Sequence, residues 1–160
     1  MENAVAPSQA KARKSFRDTA SFGARIEYWI IGEMLRQGLD IYRPLVDDMG
    51  IDAILRKEDG SFLEIQIKAR EGNPEHKKPT GYSGIKCEQQ GDYWFIFFFE
   101  ELGERGTMLL MTADEFRQHA NQNKNGTWNI DLGGMRKKEI YIKPVYEKYI
   151  CHDFSFKRLM

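Results

Sequence analysis

Two cysteines, Cys87 and Cys151, are too few for a disulfide framework, and nothing else marks the chain as a secreted, cross-linked module. Long apolar runs are also lacking. The longest, Tyr93 to Phe99, covers seven residues, against the roughly 20 that a membrane-spanning helix needs. Met1 to Lys14 hold no apolar stretch of the kind a signal peptide requires, so the cytoplasm is the expected compartment, with no membrane partner. An excess of one charge is missing too: 24 basic residues balance 24 acidic ones. That balance argues against a tight non-specific coat on phosphates and leaves room for a local basic groove. Aromatic residues, by contrast, are plentiful. Ten Phe, seven Tyr and three Trp in a chain of 160 residues, 41% of them hydrophobic, can fill one sizeable core.

The order of elements follows from periodicity. Residues 1 to 18 carry Lys11, Arg13 and Lys14 without an apolar period and read as a mobile basic arm before a single domain over 19–160. From Thr19 or Ser21 to Gln37, Phe22, Ile26, Trp29, Ile30 and Leu35 recur at helical spacing, and Gly38 supplies a stop. Leu39 to Leu45 reads as a strand, followed by an acidic turn at Asp47-Asp48. Ile51 to Lys57 and Ser61 to Ala69 read as two strands joined by Glu58-Asp59-Gly60, a hairpin signal. Arg70 to Gly91 is an irregular crossover with one short strand near Tyr82 to Lys86. Tyr93 to Phe99 should be a central strand buried on both faces. Gly103 to Gly106 turns the chain into a strand at Thr107 to Met111. Thr112 should then cap a helix over Ala113 to Ala120, with Glu115 in the reciprocal position of a capping box. Asn121 to Gly126 and Gly133-Gly134 read as turns, Trp128 to Leu132 and Glu139 to Ile142 as late strands, and Val145 to Met160 as a partly helical close.

Four positions place a polar group where chemistry could use it. Glu27 shares a helix face with Ala20, Gly23, Ala24, Ile30, Ile31 and Met34, a stripe of small and apolar residues that would let the helix approach a sheet closely. A carboxylate in such a stripe must be paired, hydrated or metal-bound, or else reach solvent at the rim. On the hairpin, Glu64, Gln66 and Lys68 face one way, and Leu63, Ile65 and Ile67 the other. Whether Asp52 joins the polar face depends on the turn. A two-residue loop sets Asp52 opposite Ile67; a three-residue loop with left-handed Gly60 sets it opposite Gln66, and the sequence suits the second. In that register Asp52 and the Gln66 oxygen offer hard ligands to Mg²⁺ or Mn²⁺. Lys68 would orient a water and neutralise a phosphate, and Glu27 would complete the site through a water or a second ion.

Gly23-Ala-Arg-Ile-Glu27, Gly50-Ile-Asp52-Ala-Ile and Glu64-Ile-Gln66-Ile-Lys68 together resemble the PD-(D/E)xK nuclease superfamily. The resemblance covers about half the chain and implies an α/β (α+β), restriction-endonuclease-like core. One helix would pack on a central mixed sheet of four or more strands, with extra C-terminal strands and a helix. It implies a Mg²⁺- or Mn²⁺-dependent endonuclease acting on nucleic acid, DNA in the first place. Glu27 takes the place of the helical acid, Asp52 of the metal-binding Asp, Gln66 of the acidic-or-Gln position and Lys68 of the catalytic Lys. Two departures stand out: Ile51 replaces the signature Pro, and Gln66 replaces a second carboxylate, for which Glu64 could compensate as an accessory ligand. The crossover is also too short and too rich in Gly and Pro for the usual long helix, leaving the helix at Ala113 to Ala120 to cover the sheet. A two-fold homodimer would suit a double-strand cutter.

Lys77, Lys78, Arg136, Lys137 and Lys138, with the basic arm, could line a nucleic-acid path, although a charge run is more often a solvated face. His76, His119 and His152 lack metal-ligand spacing, and core packing outweighs base stacking for Tyr82, Trp94 and Trp128. Two other functions compete with the nuclease: a nuclease fold that binds nucleic acid without cutting, and an interaction domain whose polar hairpin face is simply solvated.

Overall fold

The computed structural model describes residues 19–46, 49–71, 78–88, 91–100, 105–137 and 139–160. The basic arm, Asp47-Asp48, His76, Lys77 and Lys138 lie outside them. The chain runs α1 (Thr19–Arg36), β1 (Asp40–Tyr42), β2 (Ala53–Arg56), β3 (Phe62–Arg70), β4 (Gly81–Ile85), β5 (Tyr93–Phe99), β6 (Thr107–Thr112), α2 (Ala113–His119), β7 (Asn121–Gln122), β8 (Trp128–Asp131), β9 (Gly133–Arg136) and β10 (Glu139–Ile142). Three 3-10 turns close it: Pro144–Tyr149, His152–Phe154 and Lys157–Leu159.

A five-stranded mixed sheet in the order β1-β2-β3-β5-β6 forms the centre. β3 and β5 pair in parallel, from Glu64 opposite Tyr93 to Arg70 opposite Phe99, and the other neighbours are antiparallel. β5 has no charged residue, and all seven of its residues are buried because both of its faces carry core. On one face α1 sets Phe22, Ile30, Ile31 and Met34 against Leu63, Ile65, Ile67, Ile96 and Phe98. On the other, Phe116 of α2 meets Phe95 and Phe97, joined by Tyr82, Ile85 and Ile130 from a smaller sheet ordered β4-β8-β7 and by Leu132 just past β8. Each large side chain taken from water contributes roughly 1.5–3 kcal/mol, so this double-sided strand is a main source of stability.

Local chemistry sets the element ends. Thr112 caps α2 by accepting from the Glu115 amide at 3.1 Å, and Glu115 accepts from the Thr112 amide at 2.9 Å, completing the expected capping box. β1 is shorter than the expected Leu39–Leu45: it stops at Tyr42, two residues before Pro44, which has no amide to donate to β2. Gly133-Gly134 belong to a strand, not a turn. A Cβ on Gly133 would lie 1.8 Å from the Tyr141 carbonyl oxygen, so glycine here permits close pairing of β9 with β10. Asn121–Gln122 likewise extends the small sheet instead of turning, and the closing segment holds 3-10 turns with no α-helix. The small residues of α1 do not serve a close approach either, since a Cβ on Gly23 would meet nothing within 4 Å, and Ala24 and Leu35 are exposed. No helix among the described residues is long and apolar enough to cross a membrane.

Candidate active site

The turn after β2 decides the site. Lys57 N–H donates to the Ser61 carbonyl at 2.8 Å, leaving Glu58, Asp59 and Gly60 as a three-residue loop. Gly60 has φ +83°, the left-handed backbone that glycine adopts freely. Asp59 braces the loop by accepting from the Ser61 amide at 2.8 Å and the Ser61 hydroxyl at 2.6 Å. The ladder that follows pairs Ala53 with Ile65, Ile54 with Glu64, Leu55 with Leu63 and Arg56 with Phe62. One step further along, Asp52 is level with Gln66. Its amide donates to the Ile65 carbonyl at 2.9 Å, and its Oδ2 accepts from the Ile67 amide at 2.6 Å. A charged acceptor at that distance is a strong hydrogen bond, holding the carboxylate at the mouth of the hairpin.

Leu63, Ile65 and Ile67 are packed under α1, so Glu64, Gln66, Lys68 and Arg70 share the opposite face, beside Tyr93, Phe95, Phe97 and Phe99. Gln66 is 6% exposed, and its Oε1 is buried without a hydrogen-bond partner. Such an acceptor costs free energy on the order of 1–3 kcal/mol unless something satisfies it. Lys68, two residues on, is half-buried, and its side chain makes no hydrogen bond or ion pair with any described residue. Gly50 packs against the Gln66 amide: it has φ +70°, and a Cβ there would sit 2.3 Å from Gln66 Nε2. Tyr93 locks this loop by donating its hydroxyl to the Gly50 carbonyl at 3.1 Å. The glycine of the Gly-Ile-Asp stretch is thus demanded twice, by backbone angle and by space.

Glu27 stands apart from this trio. It lies on α1, across the sheet from the face of Gln66 and Lys68, and its carboxylate is 4.0 Å from Arg43 Nη2. Arg43 follows Tyr42, the partner of Ile54, and therefore flanks the end of the sheet where Asp52 enters β2. Glu27 belongs to the same end of the molecule, reached around the β1 edge. Arg43 also covers the Tyr28 ring, 4.3 Å from its centroid. Glu64 lies beside Ile54, one row from the Asp52–Gln66 pair.

The residues fit a hard divalent cation in kind if not in number. A carboxylate and a neglected amide oxygen are the donors such an ion takes, with waters completing its shell. Among the described residues no three His, Cys, Asp or Glu side chains gather closely enough to hold a metal. A cation seated here would therefore rest on Asp52 and the Gln66 oxygen.

Arg70 escaped the sequence reading, although it continues the alternation of Gln66 and Lys68. Its Nε donates to the Gly81 carbonyl at 3.0 Å, and with Lys78, Asn129 and Asp131 it lines a groove of about 550 Å³ between the two sheets. Burial pushes the Tyr82 phenol of that groove well above its ordinary range, and its hydroxyl donates to the Phe98 carbonyl at 2.7 Å. Arg136 stacks on Tyr141, 5.3 Å from its centroid, and Lys137 turns the β9–β10 hairpin at φ +51°. Tyr82 and Trp94 are core residues, and Trp94 Nε1 donates to Asp92 at 2.7 Å.

No family model and no curated protein matches the chain. Among solved structures thirteen chains match. One is the bacterial homing endonuclease I-Ssp6803I, with 18% identity, a TM-score of 0.56, and coverage of 84% of this chain and 89% of that one. The chain shares the fold of that enzyme over most of its length.

Proposed function

We propose that the chain is a divalent-metal-dependent endonuclease of the PD-(D/E)xK type that hydrolyses a phosphodiester bond of nucleic acid, DNA in the first place. One observation carries the reading: Asp52, the orphaned oxygen of Gln66 and unpaired Lys68 share a short stretch of one hairpin face. The homing endonuclease of the same fold supports a nucleic-acid substrate. Asp52 and Gln66 Oε1 would hold Mg²⁺ or Mn²⁺, while Glu27, on the α1 side of the sheet and 4.0 Å from Arg43, stays outside that ligand pair. When bound, the ion polarises the phosphoryl oxygens and stabilises the charge that builds on phosphorus.

The chain's own residues do the rest. Lys68 holds the attacking water in line and balances charge on the phosphate; its three donors need acceptors, and none is supplied within the described fold. Asp52 is fixed by the Ile67 amide, so it requires no reorganisation as charge develops. As the water oxygen bonds to phosphorus the ester P–O bond breaks, and the water's proton leaves to solvent or to the departing oxygen. The test is incubation with Mg²⁺ or Mn²⁺ and with DNA and RNA, linear and branched. Cutting that vanishes in both Asp52→Asn and Lys68→Ala supports the reading; cutting that survives both refutes it.

A second reading is a binding module that has lost cleavage. The absence of a three-acid cluster among the described residues favours it. It predicts a salt-dependent shift of nucleic acid with no cutting under any metal.

A further inference from the structure

We propose that the open face beside Asp52 and Gln66 seats an unstacked nucleobase, so that the substrate carries an unpaired nucleotide next to the bond that is cut. This substrate class rests on the endonuclease reading above for its second half; the base seat stands on its own geometry.

The ladder arranges the face in rows. Tyr42, Ile54 and Glu64 are level with one another, and Asp40, Arg56 and Phe62 form the next row out. By alternation these residues share the face of Gln66, and each row lies about 7 Å from the next. The Tyr42 row therefore borders the Asp52–Gln66 pair. Over β5 this face is covered by α2 and the small sheet, but over β1 to β3 it is open, with Tyr42 48% and Phe62 56% exposed. The two rings meet edge to face, 6.3 Å apart at 70°, and wall two sides of a bowl of about 770 Å³. That is within the roughly 300–1,000 Å³ of sites that hold small ligands.

The chemistry of the bowl selects its occupant. Arg56 is exposed and makes no ion pair or side-chain hydrogen bond with any described residue, and the Glu64 carboxylate has no described partner either. The other two acids are occupied: Lys57 pairs with Asp92, and the Tyr42 hydroxyl donates to Asp40 at 3.3 Å. A nucleotide uses every element: the base lies on one ring and against the edge of the other, its amino or imino edge donates to Glu64, and its phosphate meets Arg56. In a duplex the base faces and the Watson–Crick edge are already taken, so only an unpaired base can dock. A second copy of this chain suits the bowl less well, because it would bury Arg56 and Glu64 within an interface core, where charged residues are depleted.

The test uses a single-stranded oligonucleotide carrying 2-aminopurine and the blunt duplex of the same sequence, titrated into the full chain with Ca²⁺ at low salt. Variants are Tyr42→Ala, Phe62→Ala and the conservative Tyr42→Phe. Both rings are exposed, so circular-dichroism melts should stay close to wild type. The expected result is at least tenfold tighter binding of the single strand than of the duplex, with quenching of the probe. Phe62→Ala and Tyr42→Ala should each lose about tenfold of single-strand affinity and the quenching, with duplex affinity unchanged and Tyr42→Phe near wild type. Equal affinities for the two forms, or alanine variants that bind the single strand as wild type does, overturn the proposal. Alanine variants that only break an oligomer, seen by sedimentation, also overturn it and make the face an interface between copies. Mg²⁺-dependent cutting and its loss in Lys68→Ala are read separately. Base docking without cutting leaves the seat standing and removes the nuclease; cutting without base docking does the reverse.

Discussion

Gly50→Ala and Gly60→Ala form a matched pair that tests how the Gly-Ile-Asp loop holds the site. Both glycines have left-handed backbone, φ +70° and φ +83°, and a side chain there costs about 1–2 kcal/mol. A Cβ on Gly60 meets nothing within 4 Å, so that term is its whole cost. A Cβ on Gly50 lands 2.3 Å from Gln66 Nε2 and 3.3 Å from Gln66 Cδ, and the buried amide must move. Forcing atoms into a packed site adds roughly 1–3 kcal/mol. Gly50→Ala should therefore be about 2–5 kcal/mol less stable than wild type. With a urea slope of about 2 kcal/mol/M, its midpoint should fall roughly 0.5–1.5 M below that of Gly60→Ala. In a Gln66→Ala background the extra cost should disappear, because the obstructing amide is gone. Equal midpoints for the two variants, or a gap that persists without the Gln66 side chain, would refute this packing account.

Gln66→Met keeps the volume and removes an unsatisfied buried oxygen, so urea unfolding should show a chain equal to or about 1 kcal/mol more stable than wild type, while activity falls. Asp52→Ala strips the Ile67 amide of its acceptor and should cost about 1–3 kcal/mol, whereas Asp52→Asn retains an acceptor and should melt near wild type. Thr112→Ala removes half of the α2 capping box and should cost about 1 kcal/mol by the same denaturation assay. Burial raises the Cys151 thiol from an ordinary 9.0 to about 11, so the folded state keeps its proton where the unfolded chain would lose it. Its contribution is complete below pH 9 and is lost as pH rises toward 11, about 2–3 kcal/mol in all. Wild type should thus lose more stability than Cys151→Ala between pH 8 and pH 10.5.

The most informative feature of the sequence was the least conspicuous. Glu58-Asp59-Gly60 determines the register of the hairpin because only a three-residue loop with a left-handed third position places Asp52 beside Gln66, and the ladder has that register. β5 and the α2 capping box were equally legible, since a run of seven apolar residues and a Thr-x-x-Glu pattern each have one strong local cause. Features resting on distant partners were not. Nothing near Gly133 announces that its neighbour is the Tyr141 backbone, so a strand reads as a turn. Gly23 and Ala24 suggest a tight helix–sheet contact that the sheet does not make. Glu27 gives no hint of Arg43, which comes from a loop beyond the next strand. Tyr42 and Phe62 meet only because β1 pairs with β2 and β2 with β3, a relation absent from either segment alone.

Titration of the full chain with Mn²⁺, followed by calorimetry or by loss of the free-ion electron-spin signal, tests the convergence of Asp52 and Gln66 most directly. Wild type should bind the ion at this site, Asp52→Asn should abolish that binding, Gln66→Met should weaken it about tenfold, and Gln66→Glu should strengthen it. A wild-type chain that takes up no Mn²⁺, or one whose binding is the same in all three variants, would contradict the account.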